Sequence, residues 1–186
     1  MTKAARAARA PARRPAARKA SAGRSGARRC WLVKSDPESY AIADLERDGT
    51  TGWDGVRNYQ ARNTLRDEMA MGDRVLFYHS GVEPMAIVGR CEVASRPRPD
   101  ETAFRRGHEH FDPDSDPAEP TWWLVDLRHV ETFAVPLVRE RLAREPALRG
   151  MVLLQRGSRL SVQPVSPAEY DAVLALARRA ARERAT

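Results

Sequence analysis

The stretch WDGVRNYQARNTLRDEM, Trp53 to Met69, decides how this chain is read. Gly52 and Gly55 bracket Trp53 and Asp54, and glycine adopts backbone angles that other residues resist, so the indole is carried on a tight turn. Val56, Arg57 and Asn58 complete that turn. Asn58 is a good helix N-cap. Beyond it Ala61, Leu65 and Met69 recur every four residues while Arg62, Arg66, Asp67 and Glu68 stay polar, which predicts a short amphipathic helix ending near Gly72. The pattern is that of a binding loop mounted on a rigid element.

Outward from this stretch, short apolar runs alternate with turn residues. CWLVK, Cys30 to Lys34, reads as a first strand stopped by Ser35, Asp36 and Pro37, and Ser39 to Leu45 as a short helix packing Tyr40, Ile42 and Leu45. Arg74 to His79 and Met85 to Val93 predict a hairpin, with Gly89 marking a bend or bulge. Pro97 to Pro120 holds five prolines and reads as one long loop. Trp122 to Phe133 predicts a strand long enough to bend, Leu137 to Leu142 a short helix, and Leu160 to Val165 a last strand. Ser166, Pro167 and Glu169 supply N-cap, N1 and N3 of a capping box for a C-terminal helix lined by Tyr170, Val173, Leu174 and Ala177. Strands with helices at intervals, none repeating as βαβ units, predict an α+β barrel.

Charge is unevenly placed along the 186 residues. Residues 1–29 hold ten basic side chains and no acid, leaving 22 basic against 25 acidic side chains in the remainder, a formal −3. The high pI of about 10.1 therefore belongs to the tail, and the body must bind any nucleic acid through a local site. An Ala/Arg/Pro-rich tail lacks the apolar content to offset ordering entropy, so residues 1–29 are expected to be disordered, with a folded domain over 30–179 and a short tail over 180–186. Such a tail suits phosphate attraction, a solvated arm or, in a eukaryote, a transit segment. With no apolar stretch of membrane-spanning length, the reading is a cytoplasmic protein, nuclear or organellar if eukaryotic. Cys30 and Cys91 stand alone and read as small buried hydrophobes.

The segments WLVKSDPESYAIADL, GWDGVRNYQARN, GDRVLFYHS, HFDPDSDP, WWLVDL and RLSVQPV follow the order and spacing of the EVE domain, a small PUA-like module related to the YTH readers of methylated adenine. The resemblance runs from about Arg29 to about Arg178. It implies a closed β-barrel with flanking helices, PUA-like, and a pocket that accepts a modified base. It also implies that Lys34 and Ser35, in KSDP, lie beside that pocket, and that Phe111 and Pro113, in HFDPDSDP, act as a lid.

Trp53 is the first candidate from the residues themselves, because a base presents a flat π face that an aromatic wall can stack; the alternative is a core tryptophan. Arg57 and Asn58 supply directional donors for a base edge or phosphate, with Gly55 and Val56 in the same turn. Their structural alternatives are a helix cap for Asn58 and a pairing of Arg57 with Asp54 or Asp73. Tyr78, His79 and Ser80 end a strand at the rim of the same region, while Trp31, Trp122 and Trp123 lie in strands where at least two should be core or barrel surface. His108, His110, Asp112 and Asp114 alternate as metal ligands would, but a flexible HxH lacks a second shell, so no metal and no cofactor is expected. His79 beside Ser80 has the residue types for acyl transfer, yet adjacent strand residues point to opposite faces. The reading is a non-catalytic module that binds DNA or RNA carrying a modified base, methylated or hydroxymethylated cytosine or methylated adenine. The alternatives are a hydrolase or nucleobase-processing enzyme on the same barrel and a protein-interaction module.

Overall fold

The strand β1 (Cys30–Ser35) sets the architecture, because its side chains alternate across the sheet and the residues on both sides are buried. It pairs in parallel with β3 (Arg74–His79) and antiparallel with β8 (Val162–Val165). The computed structural model describes residues 28–186. With β2 (Thr50–Gly52), β4 (Ala86–Val93) and β7 (Asp126–Val138), these strands form a six-stranded mixed sheet in the order β2-β7-β4-β3-β1-β8. The sheet curls into a half-barrel flanked by helices, the α+β, PUA-like class expected. β2 and β8 are its two edges, so it is not a closed barrel.

The two faces carry two cores. On the front, Trp31, Val33, Val75, Phe77 and Val88 pack with Leu45, Trp53, Ala61 and Leu65; on the back, Cys30, Leu32, Leu76, Tyr78 and Ile87 pack under the C-terminal helix. Both cysteines are buried and free. That helix, α4 (Pro167–Ala185), starts with the expected capping box: Glu169 N–H donates to Ser166 Oγ at 3.2 Å and Ser166 N–H to Glu169 Oε2 at 2.8 Å. It buries Tyr170, Val173, Leu176, Ala177 and Ala180, with Leu174 only partly covered, and its helical backbone continues to Ala185, so 180–186 is the end of the helix and no separate tail. At the other end, Arg29 is already tied in, its N–H donating to Asp73 at 3.0 Å; residues 1–27, where the disordered arm was expected, lie outside the described residues.

Several boundaries differ from the sequence reading for local reasons. α1 (Ile42–Asp48) begins three residues later than expected because the amides of Ser39 and Tyr40 turn back to the Asp36 carbonyl, and Asp44 then accepts from Ala41 N–H at 2.8 Å. α2 (Tyr59–Asn63) starts as predicted, with Asn58 Oδ1 accepting from Ala61 N–H at 3.0 Å, and runs on as a π-helical turn over Thr64–Glu68 that buries Leu65. The region 97–120 is not wholly irregular: β5 (Arg98–Pro99) pairs with β6 (Trp123–Leu124), and a 3-10 turn over Glu101–Phe104 follows. β7 passes through Pro136 and absorbs the start of the expected helix, leaving only α3 (Arg139–Ala143). The register with β4 jumps from Thr132 opposite Gly89 to Leu137 opposite Ile87, and that irregularity is where a proline fits in a paired strand.

Gly89 stands where three pieces meet: a Cβ there would lie 2.5 Å from the Glu131 carbonyl oxygen and 3.0 Å from Ile42 Cγ1. Gly89→Ala should therefore cost about 1–3 kcal/mol by overpacking, measured by urea unfolding. An unchanged midpoint would show that the sheet and α1 have room to spare.

Candidate functional site

The turn that carries Trp53 is fastened by a carboxylate from a distant loop. Asp100, 1% exposed, accepts from Arg57 Nη1 at 2.8 Å and Gly55 N–H at 3.2 Å with one oxygen, and from Thr102 N–H at 3.0 Å and Thr102 Oγ1 at 2.6 Å with the other. Burial pushes its pKa up, but the hydrogen bonds from Thr102, Arg57 and Gly55 outweigh it and the net shift is downward. Arg57 thus pairs with neither Asp54 nor Asp73. Its Nη2 also donates to the His110 carbonyl, joining the turn to the loop above it. Gly55 has φ of +68°, and three atoms of the His110 imidazole lie within 2.9 Å of where a Cβ would sit, so glycine is required here twice over. Asp73 does different work, accepting from Trp31 Nε1 at 2.8 Å and Ala70 N–H at 3.0 Å.

Trp53 is not an open aromatic wall. At 8% exposure its indole packs edge-on against Phe77, with ring centroids 5.5 Å apart, and Val56 is buried in the same cluster. Glycines on both sides shape the turn, while the ring still turns inward because a large apolar surface is better buried. A cleft of about 410 Å³ opens between Arg57 of the turn and the 105–122 loop, lined by Arg57, Tyr59, His110, Phe111, Asp112 and Trp122, with Trp53 outside its lining. Tyr59, the first residue of α2, stacks on Trp122 with centroids 5.1 Å apart and rings tilted by 29°. The Arg57 guanidinium lies 5.2 Å from the Trp122 ring centroid. Of the three tryptophans expected in strands, Trp31 and Trp122 are buried and Trp123 is partly so, and Trp122 falls just before β6.

The remaining candidates separate by strand parity. Ser35 and His79 share the front face with Phe77, the Phe77 and His79 rings lying 5.8 Å apart edge to face. Their polar atoms hold the chain: Ser35 Oγ donates to the Tyr40 carbonyl at 2.6 Å, and His79 Nε2 accepts from Ile42 N–H at 3.1 Å, which makes that nitrogen the unprotonated one. Burial lowers the His79 pKa, with a smaller opposing pull from Asp36. Ser80 binds the Ser35 carbonyl through its amide at 2.8 Å. Lys34 and Tyr78 face the back, away from Trp53: Lys34 Nζ lies 6.0 Å from the Tyr78 ring centroid and donates to the Ser158 carbonyl at 2.8 Å. Burial and the nearby Arg139 lower its pKa. Lys34 and Ser35 thus leave β1 on opposite faces of the sheet, as adjacent strand residues do.

The alternating histidines and acids of the long loop serve its own structure. His108 Nδ1 accepts from His110 N–H at 3.1 Å, Asp112 Oδ1 accepts from Asp114 N–H at 3.1 Å and Asp112 Oδ2 from Trp122 Nε1; no group of metal ligands occurs among the described residues. His110 Nδ1 is 3.9 Å from Asp54 Oδ1, and burial, followed by the charge of Asp100, raises the Asp54 pKa. The sequence reading missed Asp100 and Tyr59. Asp100 lies more than forty residues from the turn it fastens, with only its place two residues before Thr102 as a capping signal, whereas Tyr59 stands just after the Asn58 cap.

Comparison with known proteins gives a consistent result. Residues 29–176 match the EVE domain. Human thymocyte nuclear protein 1 is 39% identical over 165 residues, covering 78% of this chain and 72% of the human one. Among solved structures, a hypothetical protein from Leishmania major superposes with a TM-score of 0.79 at 38% identity, over 84% of this chain and 98% of that one. Human THYN1 protein in complex with DNA containing 5-methylcytosine superposes with a TM-score of 0.73 at 38% identity, over 80% of this chain and 97% of that one.

Asp100→Asn should cost about 1–3 kcal/mol at neutral pH, because Arg57 and the two amides lose a charged acceptor. Since its pKa is depressed in the folded state, the stabilisation is present above the unfolded value of about 3.9 and is lost as pH falls through the lower folded value. Urea unfolding from pH 7 down to pH 3 should show the difference between wild type and Asp100→Asn shrinking with acid. A difference that stays constant would mean that the carboxylate charge contributes nothing.

Proposed function

Because the chain belongs to the EVE domain family, we propose that it is a non-catalytic module that binds nucleic acid and reads a modified base, 5-methylcytosine in DNA above the other candidates. The observation that carries this reading is the 38% identity and shared fold with a human protein crystallised on 5-methylcytosine containing DNA. The site offered for the base is the cleft lined by Arg57 on one side and by the loop bearing His110 and Phe111 on the other. Several features of this chain support it. The cleft volume of about 410 Å³ holds a nucleobase with room for its sugar. Phe111 and Trp122 give apolar surface for a methyl group, and Arg57, fixed by Asp100, presents a planar donor set of the kind that reads base edges.

An enzymatic reading has less support. His79 and Ser80 direct their hydrogen bonds to separate backbone groups, with no contact that would activate the hydroxyl. No helix among the described residues is long and apolar enough to cross a membrane.

Calorimetric titration of paired oligonucleotides, identical but for 5-methylcytosine or cytosine at the centre, tests the reading. Burying one methyl contributes on the order of 0.8 kcal/mol, so the methylated strand should bind about fourfold more tightly. Arg57→Lys keeps the charge but loses the planar fork, and should weaken both ligands. Equal affinity of wild type for the two strands would overturn the proposal.

A further inference from the structure

Tyr59 is the aromatic left most open among the described residues, 62% exposed, yet it is not a loose surface ring. It stacks on Trp122, and guanidinium groups attend both rings, Arg57 at 5.2 Å from the Trp122 centroid and Arg62 at 5.1 Å from the Tyr59 centroid. The parts are separately anchored. Asn58 caps the helix that begins at Tyr59, Arg62 Nη1 donates to the Thr121 carbonyl, and Trp122 Nε1 donates to Asp112. Single exposed aromatics need no explanation, but an ordered stack of two rings and two cations at the mouth of a cleft does.

We propose that Tyr59, backed by the buried Trp122, forms a stacking ledge for the nucleotide next to the base being read, with Arg62 on the side where that nucleotide's phosphate passes. The inference rests on the nucleic-acid reading above and adds a second contact to it. Aromatic stacking suits any base, since every base has a π face, so the ledge supplies affinity without discrimination. A ring already held by its neighbour and by a capped helix loses little freedom on binding. Charge favours one course for the strand: Glu109, Asp112 and Asp114 line the cleft and repel phosphate, whereas Arg62 stands at the Tyr59 ring. The occupant is a nucleic-acid strand, because flat rings with two guanidinium groups beside them, Arg57 and Arg62, match a base followed by its phosphate.

The test compares the full chain, Tyr59→Ala and Tyr59→Phe by fluorescence anisotropy and calorimetry. The probes are 5-methyldeoxycytidine and nine-nucleotide single strands carrying 5-methylcytosine or cytosine at the centre, each variant also being melted. Tyr59→Ala should weaken both strands by the same factor, about tenfold, while the preference for the methylated strand and the binding of the free nucleoside stay as in wild type. Tyr59→Phe should bind as wild type, which keeps the test informative if the alanine variant melts early. Unaltered strand affinity in Tyr59→Ala overturns the ledge. So does a loss shared by the nucleoside or confined to the methylated strand, since Tyr59 would then belong to the reading site itself. If wild type shows no methyl preference, the reading proposed above fails alone, and the unmodified strand still decides the ledge.

Discussion

A buried carboxylate on one loop fastens the turn that carries Trp53 to the segment that follows β5. Taking the Asp100 charge out of water is costly, and only full satisfaction of its oxygens makes it tolerable. Arg57, Gly55 and Thr102 provide that satisfaction, and each is thereby given a fixed position. Arg57 in turn reaches the His110 carbonyl, and His110 closes over Gly55, so the turn, the 3-10 segment and the long loop form one clasp. The cleft opens beside this clasp, with Arg57 and His110 in its lining. Its polar groups are oriented before any ligand arrives, which lowers the ordering cost of binding.

The sheet imposes a second constraint. Because it is covered on both faces, consecutive residues of β1 and β3 belong to different cores. Residues adjacent in sequence, such as Lys34 and Ser35 or Tyr78 and His79, therefore serve different sides of the protein. The front core holds Trp53, Val56 and Phe77, whereas the back is sealed by α4. In a domain whose net charge outside the N-terminal tail is −3, the arginines around Trp122 and Tyr59 matter through their placement.

What could be read in advance follows the range of the interactions involved. The capping box at Ser166, the cap at Asn58, the hairpin bent at Gly89 and the apolar rows of Ala61, Leu65 and Met69 are local, and they appear where the sequence places them. Trp53 was located on its turn but not in its environment, since local glycines shape the backbone while the fate of the ring depends on Phe77 from another strand. Asp100 was invisible for the same reason: its partners converge only once β5 and β6 pair and draw the loop across the turn. The full extent of β7 was not legible, because a register break that no single strand reveals lets Pro136 remain inside it.

The claim that the clasped front face receives the nucleic acid is tested most directly by mapping amide and indole NMR shifts while a 5-methylcytosine oligonucleotide is titrated into the protein. The account predicts that the shifts concentrate at the Gly55 amide, the Trp53 and Trp122 indoles and the loop around Phe111. Lys34, Tyr78, Arg139 and the face beneath α4 should stay unmoved. Shifts gathered around Lys34 and Tyr78, with the Gly55 amide unchanged, would contradict it.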